Sequence, residues 1–234
     1  MTTILLIETA TTACSVGLAR DGKLIALRES LDQRSHAELI TVFIAEVLDE
    51  ANIPFSSLDA VAVSKGPGSY TGLRIGVSTA KGICYAHDLP LIAIETLYAM
   101  AAGFKQKQGI NLQQNDLLCP MIDARRMEVY AALFDTELNT VMPTEAVVVD
   151  EYSFQEFLKD RRIHFFGDGA AKCREPLATN PNAQFTDDIH PSAAFFVEAA
   201  FSAYAKKSFE DVAYFEPFYL KDFVAGVPRV KGLR

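Results

Sequence analysis

Between Lys65 and Gly82 the chain reads KGPGSYTGLRIGVSTAKG, with five glycines (Gly66, Gly68, Gly72, Gly76 and Gly82) where an apolar run ends and a helix begins. So many residues without a Cβ set backbone, rather than side chains, against whatever lies alongside. The helix is expected from about Thr71 to Tyr85, and Gly72, Gly76 and Ala80 recur in it every four residues, so they share one face. A glycine inside a helix costs on the order of 1 kcal/mol relative to alanine, so two on one face predict a close contact that offsets the cost. Two neighbours fit: an anion at the turn and helix N-terminus, or another helix laid on the bare face. The turn does not match GxxxxGKS/T, since Gly66 and Gly72 are one residue too far apart and Leu73-Arg74 follow. Helix packing is the stronger of the two.

Upstream, Thr3 to Thr9, Cys14 to Arg20 and Leu24 to Ser30 read as strands, the last two joined across Asp21-Gly22, a hairpin turn. An amphipathic helix follows. It carries Leu39, Ile40, Phe43, Ile44, Val47, Leu48 and Ala51 at three- and four-residue steps, with Ser35 and Glu38 as a capping box. Its apolar stripe is wide enough to cover a sheet and still show part of itself to a partner. Leu58 to Ser64 is the strand that feeds the glycine stretch. Pro90 to Ile94 is the next strand, and Thr96 to Gly103 the next helix.

A polar stretch, Lys105 to Asp116, reads as the linker, after which the pattern restarts. LLCPMIDARRMEVYAALFD parallels ILLIETATTACSVGLARD: an apolar strand ending in a carboxylate (Asp123, Glu8), a polar turn and a second apolar strand. A strand at Glu145 to Val149, a helix at Ser153 to Lys159, a strand at Ile163 to Phe166 and a turn at Gly167 to Ala170 continue the parallel. A strand near Gln184 to Thr186 and a helix from Pro191 to Lys207 complete the copy. Two related α/β lobes are expected, with a cleft between them lined by the strand-end carboxylates and glycine turns. Glu8 and Asp123 across such a cleft have the chemistry to hold a hydrated metal and phosphates, but Ala10, two residues after Glu8, stands where a hydroxyl would serve, and no general base stands out.

Composition removes several classes of function. A net charge of -8 argues against a protein that grips nucleic acid alone, so any link to RNA is indirect. The N-terminus lacks a basic leader, and the apolar region from Leu89 to Phe104 is broken by Glu95, short of the roughly 20 residues a bilayer span needs. A cytoplasmic protein without a membrane partner is expected. Cys14, Cys84, Cys119 and Cys173 form no CxxC pair and read as buried free thiols rather than zinc ligands. The residue four after His36 is Ile40, so a helical metal pair is missing, and Ser64 and Ser69 have no nucleophile frame.

The glycine stretch, together with ILLIETATTACSVGLARDG, the helix from Ser35, MIDARRMEVYAALF, FFGDGA and PFYLK at Pro217 to Lys221, closely resembles the TsaB (YeaZ) family of tRNA threonylcarbamoyladenosine biosynthesis. The resemblance covers most of the chain. It implies the actin-like ATPase (ASKHA) fold with two RNase H-like lobes, the second shortened: 1–108 a partner-binding lobe, 109–215 a degenerate lobe, and 216–234 a C-terminal segment and tail. From its own residues, Pro217, Pro228 and basic side chains, the end from Phe215 to Arg234 reads as frayed. It also implies a subunit without catalytic residues, cofactor or metal of its own, which activates the ligase TsaD. Enzymes of the TsaD type carry a His-x-x-x-His pair where this chain has His36 and Ile40. The implied partner surface holds Leu39, Phe43 and Val47 on one helix and Gly72, Leu73, Gly76, Val77 and Ala80 on the other, packing on TsaD or on a second copy of this chain. A TsaE-type ATPase is the third member, and tRNA is met through the complex. Glu8, Thr9, Gly66, Gly68, Asp123, Gly167 and Gly169 form an inherited phosphate site, with Glu8 standing where the family has Asp; a nucleotide is allowed at the complex interface. An independent ATPase or small-molecule kinase is the enzyme alternative, and a metallopeptidase is weaker still without the His pair.

Overall fold

The computed structural model describes residues 1–32, 36–108 and 111–221. In the first lobe, β1 (Thr3–Glu8), β2 (Cys14–Arg20) and β3 (Lys23–Ser30) form an antiparallel meander. Asp21 and Gly22 both take positive φ, 48° and 77°, as a tight two-residue hairpin requires. Helix α1 (His36–Ala51) leads to β4 (Ala60–Gly66), which pairs parallel to β1. Helix α2 (Tyr70–His87) then leads to β5 (Leu91–Glu95), parallel to β4, and α3 (Thr96–Gln108) follows. The sheet order is β3-β2-β1-β4-β5.

The second lobe repeats this layout. Strands β6 (Leu117–Asp123), β7 (Glu128–Asp135) and β8 (Thr140–Val148) form the meander; α4 (Gln155–Leu158), β9 (Ile163–Phe166), α5 (Ala170–Leu177) and β10 (Ala183–Thr186) follow. The order, β10-β9-β6-β7-β8, is the first sheet's order read from the other edge, with the same parallel and antiparallel pairs. The internal duplication expected from the two carboxylate-ended strands is therefore present strand for strand.

Each sheet is covered on both faces. Leu5, Ile7, Val16, Leu18, Val61 and Val63 meet Ile40, Ile44, Val47 and Leu48 of α1 and Val77, Ala80 and Cys84 of α2 in one core. The alternate residues Ile4, Leu6, Ala60, Ala62 and Ile92 face the other way, as the two-residue strand period demands. Helix α3 fills the space between the lobes, with Leu97, Met100, Ala101 and Phe104 packed on the inner face of the second sheet and Ala99 on the first. Phe104 stacks on Phe166 with centroids 4.2 Å apart.

Several boundaries differ from expectation. The supposed linker begins inside α3, which runs to Gln108. The last helix is a 3-10 turn, Ala193–Phe196, continued by α6 (Val197–Ala205). It packs on the first sheet through Ala193, Phe195, Phe196 and Ala200, so the chain crosses back before residue 215 and the contiguous 109–215 lobe is not what forms. Phe218 and Tyr219 also lie on the first lobe rather than fraying: the Phe218 N–H donates to the Lys65 carbonyl at 2.7 Å, and Tyr219 packs on Tyr70. The capping box at Ser35 and the tail from Asp222 lie outside the described residues. All four cysteines are buried free thiols.

Candidate functional site

The carboxylate-ended strands β1 and β6 stop at a cleft between the lobes, about 570 Å³ in volume. On the first-lobe side it is lined by Ala10 to Thr12, His36 and Gly68 to Thr71. Here the start of α2 is already tied down, since Ser69 Oγ accepts from the Gly72 N–H at 3.3 Å and the Ser69 N–H donates to Ala10 O at 2.6 Å. His36 points a ring nitrogen at the Ala13 carbonyl, 3.3 Å away.

Glu8 does not line the cleft. It is wholly buried, and one carboxylate oxygen accepts from the Ala10 N–H two residues on, while the other has no partner among the described residues. Burial pushes its pKa up to about 7, against the opposing pull of hydrogen bonds from Ala10, Ser64 and Thr9. The expected pairing of Glu8 with Asp123 across the gap is thus replaced by an inward-turned acid. Thr9 is buried as well and donates to the Gly72 carbonyl at 2.8 Å.

Asp123 does line the cleft, beside Asp168, Arg125 and Tyr130. Partial burial would raise its pKa, but the Lys172 ammonium and the Arg125 N–H, 2.7 Å from the same oxygen, outweigh it and hold the carboxyl below its usual range. Lys172 also donates to the Glu128 carbonyl at 2.7 Å, so α5 delivers a fixed cation to the strand end. Asp168 accepts from the Asp123 N–H at 3.1 Å. Of the expected phosphate residues only Gly68 and Asp123 reach the cleft wall. Gly66, Gly167 and Gly169 serve backbone packing instead, Gly169 donating to the Met121 carbonyl at 3.1 Å. Phe218 to Lys221 complete the lining, a contribution that the PFYLK motif marked without saying where it goes.

The bare face of α2 has its neighbour within the same chain. A Cβ on Gly72 would overlap the Thr9 carbonyl, and one on Gly76 the Thr9 hydroxyl. Leu73, Val77 and Ala80 are likewise buried, as is Val47 of α1. These six cannot form a partner surface: the close contact predicted from the glycines is with the end of β1. Leu39 and Phe43 are half-buried at the edge of the same core. What α2 turns outward is a different stripe, Thr71, Ser78, Gly82 and Tyr85, with the half-buried Ile75 at its edge, where it packs on the core. A Cβ on Gly82 would meet nothing within 4 Å, and Tyr85 is 87% exposed. Beside it α1 shows Val42, 48% exposed, with Leu39 and Phe43.

Among the described residues, no three His, Cys, Asp or Glu side chains are grouped to hold a metal, and no helix is long and apolar enough to cross a membrane.

Two duplicated five-stranded lobes around a cleft define the ASKHA class, and a family model described as "TsaD: tRNA N6-adenosine threonylcarbamoyltransferase" matches residues 30–229. The chain is 31% identical over 232 residues, 95% of its own length and 94% of the relative's, to the tRNA threonylcarbamoyladenosine biosynthesis protein TsaB of Haemophilus influenzae. It is 38% identical over 151 residues to the protein of the same name in Escherichia coli, 63% of each chain. The solved structure of YeaZ from Pseudomonas aeruginosa superposes with a TM-score of 0.81 at 26% identity, covering 94% of this chain and 100% of that one. The chain belongs to the TsaB family.

Proposed function

We infer that this chain is a non-catalytic subunit of the machinery that forms threonylcarbamoyladenosine beside the anticodon of tRNA, and that it acts by docking on a TsaD-type ligase. The name its relatives carry supports the pathway. The observation that carries the docking is the outward stripe of α2, with small residues at Ser78 and Gly82 and open space over Gly82, together with exposed Val42 and half-buried Leu39 and Phe43 of α1. Such a pair of helix faces lets a partner's helices approach closely and bury apolar area. Alone, the same face pairs two copies of this chain. A TsaE-type ATPase joins the complex, and tRNA is reached through the ligase. Activation requires that the chain bind one state of the ligase better than another. A non-catalytic role is supported by the burial of Glu8 away from the cleft and by the Lys172 cation held on Asp123.

The test is Gly82→Leu. It should abolish co-purification with TsaD and tRNA modification while the variant keeps the wild-type circular dichroism and melting temperature. An intact complex would remove the docking face from α2. The cleft itself favours a second reading, an ATPase or small-molecule kinase; steady nucleotide hydrolysis by the purified chain, lost in Asp123→Asn, would establish it over the scaffold.

A further inference from the structure

The last described segment, residues 208–221, is fastened along the first lobe and then steps across to the second. The Glu210 N–H donates to the Leu91 carbonyl at 2.8 Å, an isolated antiparallel bridge to the first residue of the edge strand β5. Val212 and Phe215 pack on the core, and Lys81 Nζ donates to the carbonyls of Ala213 and Phe215 at 3.2 and 2.9 Å. Gly66 admits the strand of chain beside it: φ is +112° there, and a Cβ would lie 2.7 Å from the Phe218 carbonyl. Tyr219 packs on Tyr70 with centroids 4.9 Å apart and accepts from Arg74 Nε at 3.1 Å. Every one of these contacts is to the first lobe. Lys221 then pairs with Glu128 of β7, in the second lobe, and residues 218–221 wall the cleft.

We propose that residues 208–221 form a strap that closes the interlobe cleft, with the Lys221–Glu128 ion pair as its catch. The asymmetry carries the inference: among the described residues the segment is held by five hydrogen bonds and two apolar anchors on the first lobe and by an ion pair on the second. The side chain of Lys221 is 44% exposed and that of Glu128 20%, so salt screens the catch in part, and the catch releases without unfolding either lobe. Its release frees the mouth of the cleft while the strap stays docked through Phe215 and Phe218. The inference is independent of any docked partner.

Amide hydrogen exchange on the isolated chain tests it. Lys221→Glu and Glu128→Lys should each speed exchange of the backbone at 219–221 and 123–130 by roughly two- to fivefold, the range of a single exposed ion pair. Combining both reversals should restore the wild-type rates, whereas the Phe218 amide stays protected in all variants. In the wild type, raising salt from 10 mM to 1 M should reproduce the single-variant pattern. Rates unchanged in the single variants and in salt, or no recovery in the double reversal, would overturn the catch.

Discussion

Glu8 is an acid enclosed by β1, β4 and the turn after β1, and its proton has consequences for stability. Its pKa is raised from 4.5 to about 7 in the fold by burial, so the native state binds the proton more tightly than the unfolded chain does. The contribution of Glu8 to folding stability is then undiminished below about pH 4.5 and falls as pH rises from 4.5 to 7, by up to about 3 kcal/mol. Glu8→Gln keeps an acceptor for the Ala10 N–H and removes the charge. Urea denaturation should find it more stable than wild type at pH 8 and equal at pH 4.5. Asp116 behaves with the opposite sign. Burial raises its pKa, but Arg162, the Gln113 N–H and His164 hold it down to about 2. It stabilises the fold above about pH 4, and that support is lost as pH falls toward 2. Because Arg162 is a third exposed, the contribution is about 1–2 kcal/mol. Asp116→Asn should lower stability by that amount at pH 7 and by little at pH 2, measured by the same titration.

Helix α2 tests how far a local pattern reaches. Its extent, its small-residue face and the close contact on that face were all legible, because four-residue spacing is a property of the helix alone. The identity of the neighbour was not: Thr9 lies sixty-odd residues upstream, and bare backbone suits a strand end as well as another helix. The two glycines also differ in kind. Gly76→Ala would push against a side chain, so its cost, on the order of 1–3 kcal/mol, should be partly relieved by Thr9→Ala in a double-mutant cycle. Gly72→Ala would meet the Thr9 backbone carbonyl, and the same second substitution should give no relief. The meander strands and the Asp21-Gly22 hairpin were readable for the same local reason. Helix α5 was not, having eight residues with Pro176 inside and no long apolar stripe, and with it Lys172 was missed. The strap was not legible because its partners lie 93 (Lys221 to Glu128) to 153 (Phe218 to Lys65) residues away and its own sequence has no period.

For the whole molecule, the crossing of α6 and the strap back to the first lobe means that neither half of the sequence is a lobe by itself. Stopping the chain after Phe209 should expose the sites of Val212 and Phe215 and unpair the Leu91 carbonyl, lowering the melting temperature by roughly 5–10 °C. The two lobes still keep separate cores, and each core encloses two thiols: Cys14 and Cys84 in the first, Cys119 and Cys173 in the second. Burial pushes the Cys14 and Cys173 thiols up to about 11, the Cys84 thiol to about 12 and the Cys119 thiol well above its ordinary range, so none is a thiolate at neutral pH in the closed fold. An alkylating reagent therefore reports when a core has opened, and peptide mass spectrometry tells which. The wild-type protein thus carries a matched pair of clocks, one per lobe, and their agreement or divergence under denaturant measures whether the duplicated halves breathe as one body or two.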